Sequence, residues 1–108
     1  MKTVFAGLMW LWLTNALAGD VRLAWTASIS TNVVGYKIYY GPASGVYTNT
    51  VAVGNTTNAA VTGLVEGVTY YFAATAFDDS GVESQFSNET SYSLPLKPLA
   101  PTNLRPKN

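Results

Sequence analysis

Apolar and polar residues trade places at every second position through most of this chain, in short runs cut off by clusters of Gly, Pro, Asn, Asp and Ser. A period of two is the repeat of an extended strand, whose successive side chains point to opposite faces, and helices do not carry it. Val21, Leu23 and Trp25 alternate with Arg22, Ala24 and Thr26, which predicts a strand near 20–26. Tyr36, Ile38 and Tyr40 predict a second over 33–41, closed by the turn cluster from Gly41 to Gly45. Further strands are expected over 47–53, where Gly54-Asn55 ends the run, and over 57–62, with Ala59, Val61 and Leu64 facing inward. The longest is expected over 68–77, with Tyr70, Phe72, Ala74 and Ala76 on one face, and the last over 83–92 after the hairpin turn Asp78-Asp79-Ser80-Gly81. Several short strands at regular spacing, with no helical stretch between them, argue for an all-β sandwich.

The ends read differently. Residues 1–18 place Lys2 before an apolar run from Val4 to Leu13, and Ala16-Leu17-Ala18 supplies small residues where a signal peptidase looks for them. That is the layout of a secretory signal, with cleavage expected after Ala18 and a mature domain over 19–94. The run is too short for a bilayer span, which needs about 20 apolar residues. Loss of Lys2 leaves the mature charge close to −1, so neither nucleic acid nor an anionic membrane is an expected partner. Residues 95–108 hold four of the five prolines and read as an extended tail.

Laid end to end, the strands resemble the fibronectin type III family. Val21-Arg22-Leu23-Ala24-Trp25 looks like that family's second strand, and Gly35 to Tyr40 like its third. Leu64-Val65-Glu66-Gly67-Val68-Thr69-Tyr70 looks like its Leu-x-x-Gly-x-x-Tyr corner, and Gly81 to Ser84 with Ser87-Asn88 like its final hairpin. The resemblance covers residues 20–94 and implies an immunoglobulin-like sandwich. Its core would hold Leu23, Trp25, Tyr36, Ile38, Leu64, Tyr70 and Phe72, with the Tyr70 hydroxyl bonded to backbone upstream. Only Gly19 and Asp20 separate the cleavage point from Val21, so the first strand of the family is expected to be missing or replaced. The segment from Ala100 to Pro106 itself resembles such a strand. It reads as a linker, as the stub of a following module, or as a strand donated to another copy.

The chain has neither Cys nor His, which removes thiolate nucleophiles, Ser-His and Cys-His pairs, disulfides and the commonest transition-metal ligands. Asp78, Asp79 and Glu83 sit in or beside a turn, where carboxylates serve turn geometry more often than catalysis or calcium. No catalytic residue, metal or cofactor is expected. Candidate partner-binding residues are Tyr39, Tyr47, Tyr71, Asp78, Asp79 and Leu104, with Phe77, Phe86 and Tyr92 as further outward or edge aromatics. The expected function is a secreted, periplasmic or extracellular binding or scaffolding module for a protein partner. The alternatives are a carbohydrate-binding accessory domain, and a structural subunit of a cell or virion surface that assembles with itself through residues 95–108.

Overall fold

A computed structural model describes residues 10–17 and 19–107, which form seven strands and, among those residues, no helix. Strands β1 (Leu11–Leu17), β2 (Asp20–Trp25) and β5 (Asn58–Val61) make one sheet in the order β1-β2-β5. Strands β3 (Val33–Gly41), β4 (Asn49–Val53), β6 (Thr69–Asp78) and β7 (Thr90–Ser93) make the other in the order β4-β3-β6-β7. Every pairing is antiparallel. The two sheets bury their inner faces against each other, which is an immunoglobulin-like β-sandwich.

The alternation that predicts the strands also selects the core. Val21, Leu23 and Trp25 from β2 and Val61 from β5 meet Tyr36 and Ile38 from β3 and Phe72, Ala74 and Ala76 from β6, all buried. Register matches large to small: Tyr36 lies opposite Ala76, and Ile38 opposite Ala74. The two alanines leave depth for the Trp25 ring, which packs on Tyr36 with centroids 5.4 Å apart. Leu64 is buried at the rim, whereas Tyr70, expected in the core, is half-buried. Its hydroxyl explains why: it accepts the Val65 N–H at 3.0 Å and must stay at the domain's edge to do so. Its ring still packs on Tyr40 and Phe72.

Two expectations need correction. The edge position expected to be empty holds β1, which pairs with β2 from Leu11 opposite Trp25 to Leu17 opposite Asp20. Leu11 is buried in the core, and the Asn88 side chain grips it. The Leu11 N–H donates to Asn88 Oδ1 at 2.5 Å, and Asn88 Nδ2 donates to the Leu11 carbonyl at 2.7 Å. Residues 1–9 and 18 of the expected leader lie outside the described residues. The last strand is also much shorter than 83–92. Over 84–87 two serines replace part of a ladder: the Ala76 and Ala74 N–H groups donate to Ser84 Oγ and Ser87 Oγ at 3.0 and 2.9 Å. The Ser84 and Ser87 N–H groups donate to the carbonyls of Ala76 and Ala74. Three residue steps thus face two, a bulge-like surplus that turns Phe86 out of the strand line.

After Leu94, which is buried, residues 95–107 are exposed; the Lys97 N–H still donates to Glu66 Oε1 at 3.2 Å, and beyond it the chain runs away from the domain. The molecule measures 77 × 23 × 19 Å with a radius of gyration of 18.0 Å. A compact domain of this length has a radius near ~13 Å, and the projecting tail accounts for the excess.

Candidate functional site

The outer face of the four-stranded sheet carries the richest side-chain cluster of the described residues. Lys37 and Tyr39, two apart on β3, point outward opposite Thr75 and Ala73 of β6. Tyr47 arrives from the β3–β4 connection, which folds tightly over Gly41. A Cβ at Gly41 would stand 1.9 Å from the Val46 carbonyl oxygen, so only glycine allows that approach. Phe86 arrives from the serine-bonded segment. The three rings form a closed triangle: Tyr39–Phe86 at 5.0 Å edge-on, Tyr47–Phe86 at 5.3 Å and Tyr39–Tyr47 at 6.4 Å between centroids. Phe86 is 52% exposed and Val46 50%, so the triangle has an apolar outer surface.

Two carboxylates hold this cluster. Glu83 Oε1 accepts the Tyr39 hydroxyl at 2.5 Å and the Thr75 hydroxyl at 2.8 Å, while Oε2 meets the Lys37 ammonium at 3.2 Å. Lys37 also lies over the Phe77 ring, 5.6 Å from its centroid. Glu89 Oε1 accepts the Tyr47 hydroxyl at 2.6 Å and the Gly45 N–H at 2.9 Å, and Oε2 accepts the Ser44 hydroxyl at 2.7 Å. Burial first, then the Glu83 hydrogen bond and charge, push the Tyr39 hydroxyl up to about 12, with Thr75 opposing. Burial, then Glu89, does the same for Tyr47. Burial alone would raise Glu83, but the bonds from Tyr39, Thr75 and Lys37 together outweigh it and leave the carboxyl below its ordinary value. The Tyr47 and Ser44 bonds lower Glu89 against a smaller opposing effect of burial, with the Gly45 N–H helping. Near neutral pH both acids are ionised and both phenols protonated.

The candidate residues read from sequence do not all gather here. Tyr39 and Tyr47 do. Tyr71 stands on the same face, opposite Gly41, and is half-buried. Asp78 is withdrawn as a binding residue: it is 5% exposed, and its Oδ1 accepts the N–H groups of Ser80 and Val82, both at 2.9 Å, to close the hairpin. Asp79 is exposed in that turn. Among the described residues no acids converge to hold a metal ion, and Glu83 is turned toward Lys37 instead of Asp78. Leu104 is 96% exposed in the tail, remote in sequence and element from the triangle. Sequence reasoning missed Glu83 and Glu89 as the supports of the cluster. Apart from Thr75, eight residues before Glu83, their partners lie 42 to 46 residues away, and no local spacing connects them to the rings.

Fold and surface together define an immunoglobulin-like sandwich module whose most elaborated feature is an exposed aromatic face. The comparisons give its family: residues 11–98 match the fibronectin type III domain profile, and the chain belongs to that family. The match begins at Leu11, the first residue of β1. Fibronectin type III domains are generally non-enzymatic and commonly serve as protein-interaction modules. The chain is 36% identical over 77 residues to a kelch domain-containing protein of Saccharolobus solfataricus, covering 69% of this chain and 10% of that protein. It therefore spans about a tenth of that relative's length. Among solved structures, the fn3 domain of the human collagen alpha-1(XX) chain aligns with a TM-score of 0.72 at 17% identity, over 95% of this chain and 98% of that one. A Fn3-like protein from Clostridium thermocellum aligns with a TM-score of 0.66 at 25% identity, over 82% and 92%.

Proposed function

We propose that this is a secreted, non-catalytic module that binds a protein partner through the outer face built on Tyr39, Tyr47 and Phe86. One observation carries the reading: the rings expose apolar surface while the polar groups around them are already paired with one another. Protein interfaces concentrate affinity in aromatic anchors of this kind, ringed by polar groups that need no rescue when water leaves. A polysaccharide asks for flat rings and for free donors and acceptors beside them. Here both other rings meet Phe86 edge-on, and each tyrosine hydroxyl already donates to a carboxylate. Secretion rests on the leader-like residues 1–18, and the Cys-free composition is compatible with an oxidising compartment.

The test is a pull-down from the producing organism's extracellular fraction with wild type and Phe86→Ala, beside retention on a panel of insoluble polysaccharides. Phe86 is half exposed and lies outside the core between the sheets, so its truncation leaves the fold intact and lowers the melting temperature only through the two lost ring contacts. Loss of a saturable protein ligand on Phe86→Ala supports the reading. Retention on a polysaccharide that Phe86→Ala or Tyr47→Ala abolishes replaces it with the carbohydrate-binding alternative.

A further inference from the structure

The position of β1 has the form of a receptor for an extended peptide. Its floor is the outer edge of β2, which pairs with β1 along the whole of β2. Its apolar socket is the one Leu11 fills, 2% exposed beside Trp25. Its latch is Asn88, whose amide donates to and accepts from the backbone of a single residue. Because the latch reads an N–H and a C=O, it recognises strand conformation, and only the socket selects a side chain. If residues 1–18 are a leader, export deletes this strand and leaves the β2 edge, the socket and the Asn88 amide without their occupant.

The tail offers a replacement. Leu99 and Leu104 are 94% and 96% exposed, so the tail carries apolar side chains with no cover of their own. Pro101 and Pro106 bracket four residues that keep their N–H groups, with Leu104 among them. An edge strand bonds on one side only and tolerates such flanking prolines. Polarity decides whose tail fits. The end of β1 and the start of the tail lie at the same pole, where Gly19, Leu64 and Lys97 line one hollow. β1 begins at the opposite pole, where the Thr26 N–H donates to the Trp10 carbonyl. To replace β1 in its own direction, a tail would first have to travel back the full length of its own domain. The tail instead projects outward, within reach of a neighbour.

We propose that, after cleavage at Ala18, the vacated β1 slot takes the tail of a second copy, with Leu104 in the Leu11 socket, and that the copies join head to tail. The proposal rests on the leader reading. Such contacts are heterologous and do not close, so the assembly lengthens with concentration.

The experiment expresses the full chain in an exporting bacterial host, determines the intact mass of the exported product, and follows its molar mass in solution across a hundredfold range of concentration. The expected product begins at Gly19 and forms oligomers whose mass rises with concentration. Excess synthetic peptide of residues 95–108 should collapse them to monomers carrying one peptide. Leu104→Asp should be monomeric with a lowered melting temperature, and the wild-type peptide added in trans should raise it again. A product that keeps residues 1–18 overturns the leader reading and this proposal with it. A cleaved product that stays monomeric at every concentration overturns the proposal alone. So do oligomers indifferent to both the peptide and Leu104→Asp, and so does a Leu104→Asp chain that the peptide fails to stabilise.

Discussion

Glu83→Gln keeps the shape of the side chain and removes its charge, which makes it the sharpest probe of the outer face. A glutamine can offer its oxygen to Tyr39 and Thr75, but its amide NH2 then faces the Lys37 ammonium, donor against donor. The ion pair lost is partly exposed, with side chains 32% and 30% accessible, and such pairs contribute about 0.2–1 kcal/mol. The two hydroxyl bonds pass from charge-assisted to neutral, losing about half their strength, or roughly 0.5–1 kcal/mol each before discounting for solvent. The expected cost is about 1–2 kcal/mol at pH 7, a fall in melting temperature of roughly 5–15 °C for a domain of this size. Calorimetry measures it, and a phenolate absorbance titration supplies the second readout. Tyr39, held at about 12, should move toward its ordinary 10 without reaching it, because burial is its largest cause and remains. The pH dependence has two sides. Glu83 is more acidic folded than unfolded, so its contribution is present above the ordinary 4.5 and is lost as pH falls through the lower folded value. Tyr39 holds its proton more tightly when folded, so wild type loses stability as pH climbs from 10 to about 12. The wild-type advantage over Glu83→Gln should therefore be full near neutrality and shrink in acid. Equal melting temperatures at pH 7 together with an unmoved Tyr39 titration would refute the account.

Four further outcomes follow from the packing. Trp25→Ala should cost roughly 3–5 kcal/mol in urea unfolding, since the ring fills the centre of the core. Trp25→Phe should cost clearly less, because it also deletes an indole N–H that has no hydrogen-bond partner among the described residues. Tyr70→Phe should lower stability by about 1 kcal/mol, read as a small drop in melting temperature, because it removes the hydroxyl that accepts the Val65 N–H. Asp78→Ala should cost about 1–2 kcal/mol and speed amide exchange at Ser80 and Val82, the two groups its carboxylate holds.

What the sequence disclosed depended on how cleanly one face separates from the other. β2, β3 and β6 each bury one face more than the other, and their residues announce it: Val21, Leu23 and Trp25 are fully inside, with Arg22 between them exposed. β1 hides because residues 4–13 are apolar at every position, which erases the period and reads equally as a leader. The segment 84–87 misleads in the other direction. Ser84, Phe86 and Asn88 alternate like a strand, yet the serine hydroxyls accept bonds that a ladder would give to carbonyls. Tyr39, Tyr47 and Phe86 were each recognisable as outward aromatics. Their union was not, because it depends on the surplus residue that swings Phe86 over the sheet, and on carboxylates far away in sequence.

That pair of hydroxyl bonds also bears on how the module behaves in a crowd. Beyond the four residues of β7, the flank of β6 is sealed by groups that imitate a neighbouring chain without continuing into one, so a stray strand finds little there to extend. On its β1 side the sheet containing β2 is capped, among the described residues, only at Leu11, by the Asn88 amide. The two halves of the sandwich thus differ in sociability: one flank is shut by its own serines, and the other stays quiet only while something lies along it.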